Sequence, residues 1–188
     1  LDPDSLVRTL SDLAKEHIGA LMVIRGNDPL ERHITGGIPL DGNLSGPLLK
    51  SIFDPHSPGH DGAVLVEQDS ITRFAAHLPL SKNLMQLSNV GTRHSAALGL
   101  AELTDALCIV VSEERGTISF ARDGKLREVE NLQQLGAVID SFLRTKFPST
   151  RQSNLSLQFF RENWIAKAIS LSLAIGFWYI FVPGSKTV

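Results

Sequence analysis

Two short polar motifs in this 188-residue chain combine residue types that can do chemistry. The first is the loop at residues 53–66, FDPHSPGHDGAVLV, in which prolines and glycines surround His60 and Asp61 before an apolar run. A rigid, glycine-containing polar loop beside a strand is a common place for function in α/β proteins. Asp61 could hold a divalent metal or accept a proton from a hydroxyl nucleophile. A turn-capping aspartate beside a packed histidine explains the same residues, and the isolated pattern favours that simpler explanation.

The second motif is GTRHS at residues 91–95, where a predicted loop enters a predicted helix. Free backbone N–H groups and the positive end of the helix dipole would favour an anion there. Arg93 adds a guanidinium that can bind phosphate through two hydrogen bonds. An ordinary helix cap with a surface arginine is the alternative. The sequence contains no Walker A loop, no GxGxxG fingerprint and no zinc-spaced set of Cys and His.

A third polar stretch, SEERG at residues 112–116, follows a predicted buried strand. It brings two carboxylates to a strand end, where one of them could complete a metal site with His60. A solvated turn is the alternative, and the sequence leaves the two open.

Composition limits the class of protein. A length of 188 residues with 43% apolar residues suits one domain of about 150 residues plus an appendage. The net charge of −2 provides no basic surface, so we expect no nucleic acid polymer as a partner. The single cysteine, Cys108, excludes an intrachain disulfide and is predicted to be buried in a strand.

Hydrophobic periodicity predicts the elements that position the motifs. Helices are predicted from Asp2-Pro3, from Ser45-Gly46-Pro47 through Ile52, after Thr92 as a candidate N-cap, and over residues 131–147. Strands are predicted at residues 20–24, 62–67, 71–77, 107–112 and 117–121, with a tight turn at Asp123-Gly124. Residues 25–46 are rich in Gly, Asp, Asn and Pro, with only a short extended piece at 33–35. The predicted fold is therefore mixed α/β.

The chain changes character after residue 147. Residues 1–147 form the predicted domain, 148–163 a linker, 164–182 a transmembrane helix and 183–188 an extracytoplasmic tail. Nineteen largely apolar residues, at about 1.5 Å each, reach the thickness of a hydrocarbon core. Basic residues are concentrated before this segment, which predicts a single-pass protein of the cell membrane whose domain faces the cytoplasm. An amphipathic or core helix is the alternative.

The order of these motifs resembles that of the diadenylate cyclase family, also called the DAC or DisA_N domain. The resemblance covers about residues 6–147, and the DGA and RH(R/S/T) signatures are its most specific parts. It implies a twisted mixed sheet flanked by helices, and condensation of two ATP into cyclic di-AMP with release of two pyrophosphates. The matching segments are IGALMVI (18–24), GIPL (37–40), HDGAVLV (60–66), LPLS (78–81), GTRHSAALGLAELTDA (91–106) and VSEERGTISFARDGKL (111–126).

The resemblance also implies residue roles. Asp61 would lie near the attacking 3′-hydroxyl, and Arg93 and His94 would grip phosphates as the other catalytic residues. In membrane-anchored relatives, residues matching His60 and Glu114 hold a divalent metal, Mg²⁺ or Mn²⁺, with Co²⁺ a further candidate. The aspartate loop and the arginine–histidine helix start must then converge to cradle one ATP. The implied substrate-binding residues are Gly62, Ala63, His77, Leu78, Thr92, Ser95 and Ser112.

Because one site would hold one ATP, the resemblance implies a homodimer whose domains meet face to face. Three departures matter: His77 stands where some relatives have a stacking tyrosine, Ser95 replaces a frequent arginine, and the predicted span follows the domain. Residues 162–179 resemble the start of YbbR-type proteins, which regulate such cyclases. Two other functions stay open: a degenerate regulatory domain that binds ATP or a cyclic dinucleotide at the membrane, and a metal-dependent phosphohydrolase using His60, Asp61 and Glu114.

Overall fold

The structure is a computed structural model that describes residues 2–83, 85–87 and 90–147, together with Ser172, Leu173, Ile175, Gly176 and Trp178. The chain divides into two units, Leu1–Lys146 and Phe147–Val188. Within the described part of the first unit, the helices are α1 (Pro3–Lys15), α2 (Gly46–Phe53), α3 (Thr92–Ala101) and α4 (Leu132–Lys146). The strands are β1 (Ala20–Ile24), β2 (Thr35–Asn43), β3 (Ala63–Glu67), β4 (Ser70–His77), β5 (Leu107–Val111), β6 (Ile118–Arg122) and β7 (Lys125–Glu128).

These strands form one sheet in the order β2-β4-β3-β1-β5-β6-β7. β1 and β3 are parallel, and the other neighbouring strands are antiparallel. The predicted mixed sheet is therefore confirmed. One consequence positions the site: β1 and β3 begin, and β4 and β5 end, at the same edge of the sheet.

Helices cover both faces of this sheet. One face packs against α1, α2 and α4 through side chains such as Leu10, Phe53 and Phe142, and the other packs against α3. The central strands β1 and β5 are buried along their whole length, as expected for strands covered on two sides. Cys108 lies on β5 as predicted, and burial raises the pKa of its thiol to about 12. The predicted arrangement of a sheet flanked by helices is confirmed.

Local sequence explains several boundaries. Asp2 caps α1 by accepting a hydrogen bond from the backbone N–H of Asp4 at 3.2 Å, and Pro3 occupies the first helical position. At α3 the N-cap is Gly91, and Thr92 is the first helical residue. Thr92 was the candidate N-cap in the sequence, so that boundary was wrong by one residue.

The largest difference from the sequence prediction is β2, a nine-residue strand where only a short extended piece was predicted. β2 lies at the edge of the sheet and pairs with β4 alone, with an irregularity between Pro39 and Gly42. An edge strand tolerates glycine and proline because one of its sides carries no ladder.

The predicted linker at 148–163, the tail at 183–188 and most of the predicted span at 164–182 lie outside the described residues. Of the described residues of the second unit, Phe147 is not helical and the other five are helical, and Leu173, Ile175 and Trp178 expose large apolar side chains. Among the described residues, no helix has the length and apolarity needed to cross a membrane.

Candidate active site

The two polar motifs line a single cleft of about 670 Å³ at the sheet edge where β3 begins and β4 and β5 end. The loop before β3 contributes His60, Asp61 and Gly62, and the start of α3 contributes residues 91–94. The ends of β4 and β5 complete the walls with His77, Leu78 and residues 112–115. The convergence that the resemblance implied is present in the structure.

Gly62 lets the aspartate loop pack closely against β4, and a residue with a Cβ atom would not fit at this position. Its φ is +117°, and a Cβ atom at this position would lie 2.7 Å from the carbonyl carbon of Ala75 on β4. Ala75 itself has a φ of +52°, in a stretch where the β3–β4 register is irregular. The loop backbone therefore presses directly on β4 and delivers the exposed Asp61 to the cleft. Ala63, the next residue, is buried, pairs with Ala76 on β4 and does not line the cleft.

Local hydrogen bonds also shape the loop around His60. The backbone N–H of His60 donates to the carbonyl of Ser57 at 3.2 Å, and Nδ1 of its ring lies 2.6 Å from the same oxygen. Because a carbonyl can only accept, Nδ1 carries the proton, and in the neutral ring Nε2 keeps its lone pair.

Arg93 and His94, at the start of α3, line the cleft, and each has one buried side-chain nitrogen. Nε of Arg93 and Nε2 of His94 have no hydrogen-bond partner among the residues that the structure describes. Gly91 provides no side-chain cap, which leaves the helix N-terminus open to an anion. Burial, reinforced by the positive charges of Arg115 and Arg93, lowers the pKa of His94 below its ordinary value of 6.5. His94 is therefore neutral at pH 7.

Ser95, also in the first turn of α3, forms hydrogen bonds with Ser81. Its hydroxyl donates to the carbonyl of Ser81 at 3.2 Å, and the N–H of Ser81 donates to the carbonyl of Ser95 at 3.0 Å. Gly99 reinforces this attachment, since a Cβ atom there would collide with the carbonyl oxygen of Pro79. These contacts fasten α3 to the segment that carries Leu78. Ser95 is not among the residues lining the cleft, and its predicted contact with phosphate stays a prediction.

The carboxylates after β5 separate into two environments. Oε2 of Glu113 lies 2.8 Å from Nη1 of Arg93, an ion pair that sequence reasoning missed because no local periodicity links residues twenty positions apart. Glu114 is exposed and lines the same cleft as His60 and Ser112. Within residues 2–83, 85–87 and 90–147, no group of three or more His, Cys, Asp or Glu side chains is arranged to hold a metal ion.

The domain is a mixed α/β sheet in which one edge joins an acidic loop to a basic helix start, an arrangement that α/β proteins use to bind anions. A family model described as "DAC: DisA bacterial checkpoint controller nucleotide-binding" matches residues 7–126 of the chain. The chain belongs to this family, which confirms the resemblance found in its sequence.

Curated relatives and a solved structure agree with this membership. The chain is 42% identical over 123 residues to "Cyclic di-AMP synthase CdaA" of Bacillus subtilis, which covers 65% of the chain and 45% of that relative. It is 37% identical over 145 residues to "Diadenylate cyclase" of Mycoplasma pneumoniae, covering 76% of the chain and 71% of that relative. The crystal structure of a double mutant of DacA from Staphylococcus aureus has a TM-score of 0.72 and 37% identity, covering 74% of the chain and 93% of the chain in that structure. The chain spans about half the length of the first curated relatives it matches.

Proposed function

We propose that the chain is a diadenylate cyclase, which condenses two ATP molecules into cyclic di-AMP and releases two pyrophosphates. The observation that carries this proposal is the shared cleft, in which Asp61 faces the same space as Arg93 and His94. Relatives named cyclic di-AMP synthase or diadenylate cyclase support it.

The proposed reaction joins each ribose 3′-hydroxyl to the α-phosphorus of the other ATP. Asp61 orients the hydroxyl and accepts its proton, since its carboxylate is exposed on the cleft. Arg93 and the open start of α3 bind phosphate oxygens and neutralise the charge that develops during transfer. His94 is neutral and buried beside them, and we assign its Nε2 to the phosphate-binding group as well. We assign Thr92 and Ser112 to the phosphates, and His77 and Leu78 to the base.

The size of the cleft supports a two-chain reaction. A volume of about 670 Å³ is typical of a pocket for one small-molecule ligand. Joining two nucleotides then requires two such clefts to face each other, which a homodimer with two-fold symmetry achieves. We therefore propose that one chain alone binds ATP without making product.

The residues present fit a divalent metal. The hydrogen bond from Nδ1 of His60 to Ser57 leaves Nε2 free to coordinate, which is the usual second contact of a ligand histidine. Glu114 supplies an exposed carboxylate on the same cleft, and phosphate oxygens and water would complete the set, as is common for Mg²⁺ and Mn²⁺. A bound metal neutralises phosphate charge. The identity of the metal, Mg²⁺, Mn²⁺ or Co²⁺, is part of this proposal.

We further propose that residues 164–182 anchor the domain in the cell membrane, with residues 1–147 on the cytoplasmic side and 183–188 outside. The apolar composition and the basic residues before it support this, and the likeness of residues 162–179 to YbbR-type proteins suggests a regulatory region. Anchoring would raise the local concentration of partner domains. Extraction of membranes at alkaline pH should leave the 188-residue chain in the pellet and release a chain ending at residue 147.

A regulatory domain that binds nucleotide without turnover is the second candidate. It is favoured by Ser95, whose hydroxyl is engaged by Ser81 where a frequent arginine would offer a phosphate contact. A metal-dependent phosphohydrolase is the third.

Incubation of the 188-residue chain with ATP and Mg²⁺ or Mn²⁺, followed by product analysis, separates these functions. A cyclase yields cyclic di-AMP and pyrophosphate in a ratio of 1:2 because each bond formed releases one pyrophosphate. Binding without product supports the regulatory domain, and release of AMP or phosphate supports the hydrolase. The Asp61→Asn variant should bind ATP, keep its unfolding midpoint and make no product. Asp41→Asn is the matched control, since Asp41 is exposed on β2 outside the cleft.

A further inference from the structure

We infer that Glu113 and Gly19 position the guanidinium of Arg93 for phosphate binding, and that both are positioning residues of the site. The inference rests on the proposed function for the identity of the ligand. It assigns Glu113 a role distinct from that of Glu114, its neighbour on the same cleft.

The central contact is the ion pair between Arg93 and Glu113. Nη1 of Arg93 lies 2.8 Å from Oε2 of Glu113, and the arginine side chain is only 24% exposed. A guanidinium has five N–H donors in a rigid plane, so a pairing at Nη1 leaves the other donors available. Nε is one of these, and it has no partner within the described residues. Holding Nη1 therefore fixes the plane in which the remaining N–H groups meet a phosphate.

Gly19 packs directly against this ion pair. A Cβ atom on Gly19 would lie 2.6 Å from Nη1 of Arg93 and 2.8 Å from Oε2 of Glu113. No real Cβ contact is that short, so any side chain here would push the ion pair out of its present position. Gly19 directly precedes β1 and does not line the cleft, so it acts only through the pair.

The backbone of Glu113 is held independently of its carboxylate. Nδ1 of His17, just after α1, lies 3.1 Å from the carbonyl oxygen of Glu113. His17 has a φ of +55°, an uncommon conformation for a residue with a side chain. The loop after β5 is thus tied to the α1–β1 connection on one side and to Arg93 on the other.

These contacts decide what the carboxylate does. An unpaired Glu113 on this cleft would repel a triphosphate, whereas a paired one cancels its own charge while restraining a long, flexible side chain. Preorganised donors bind developing charge better than mobile ones, and small misplacements cost large factors in rate. Glu113 therefore favours catalysis although it carries the same charge as the substrate.

The test compares Glu113→Gln with Glu67→Gln in the 188-residue chain. Glu67 pairs with Arg25 at the same 2.8 Å, outside the cleft, so both variants lose an equivalent ion pair. We expect similar small shifts in unfolding midpoint for the two. Only Glu113→Gln should lower kcat/KM for pyrophosphate release, by about tenfold, and weaken binding of a non-hydrolysable ATP analogue by about fivefold. Gly19→Ala should reproduce these losses without removing a charge.

A double-mutant cycle on analogue binding isolates the coupling. In an Arg93→Ala background, Glu113→Gln should change the dissociation constant less than twofold. An equal loss in both backgrounds, or tighter binding by Glu113→Gln, overturns the inference. If the wild-type chain binds the analogue but makes no cyclic product, the cyclase proposal fails while the cycle still decides the role of Glu113. If the chain binds no analogue, both fail.

Discussion

Replacing Gly62 by alanine tests how the aspartate loop is held against the sheet. Gly62 precedes β3 with a φ of +117°, a conformation that residues with a Cβ atom rarely adopt. The added methyl group would lie 2.7 Å from the carbonyl carbon and 2.8 Å from Cα of Ala75, both of them backbone atoms of β4. Backbone cannot rotate aside as a side chain can, so the loop or β4 must move.

The cost follows from these two features. An unfavourable backbone conformation costs about 1–3 kcal/mol, and overpacking against a rigid neighbour costs about as much again. We expect Gly62→Ala to lower the free energy of unfolding by about 2–6 kcal/mol, a large share of the total of about 5–15 kcal/mol typical of domains. Asp61 moves with the loop, and a displacement of about 1 Å can reduce a rate about a hundredfold.

Two measurements are made on each variant: urea unfolding for stability and cyclic di-AMP formation for activity. Gly91→Ala is the control. Gly91 lines the same cleft, but a Cβ atom there would meet nothing within 4 Å, and its φ is −79°. We expect Gly91→Ala to lose less than about 1 kcal/mol as an N-cap change. Equal stability losses in the two variants would refute the reasoning about Gly62.

Three further outcomes are expected. Burial lowers the pKa of His94, so the unfolded chain binds a proton more readily than the folded one below pH 6.5. The urea concentration at the unfolding midpoint should therefore decrease as the pH is lowered from 7.5 to 5.5, and His94→Gln should make that decrease smaller. Asp105 accepts hydrogen bonds from the backbone N–H groups of Asn27 and Asp28 and from Lys146 at 2.7–3.0 Å; Asp105→Ala should cost about 2–3 kcal/mol in unfolding free energy without changing KM for ATP. Cys108 is fully buried with its pKa raised to about 12, so a thiol reagent should label it in urea and spare it in the native protein.

The elements around the site were predictable where a local pattern determined them. β1 and β5 are apolar throughout, α3 is apolar after its polar first turn, and the start of α1 is set by Asp2 and Pro3, all of which can be read without tertiary contacts. The motif order was sufficient to indicate the family, because those glycines and charges occur at a definite spacing. The shared cleft followed from that resemblance.

The rest depended on contacts between distant residues. β2 is a strand because β4 pairs with it, and its glycines and proline conceal this in the sequence. The ion pair between Arg93 and Glu113 has no local signature, and the space at Gly19 is needed only because that pair occupies it. Ser95 belonged to a phosphate-binding motif by sequence, whereas the structure shows its hydroxyl bonded to Ser81.

The central claim is that the aspartate loop and the start of α3 together hold one ATP. The most direct test is a crystal structure of the chain with a non-hydrolysable ATP analogue. We predict one analogue per chain in the cleft, with its ribose beside Asp61 and its phosphates against Arg93 and His94. An analogue bound elsewhere, or one that contacts only one of the two clusters, would contradict the claim.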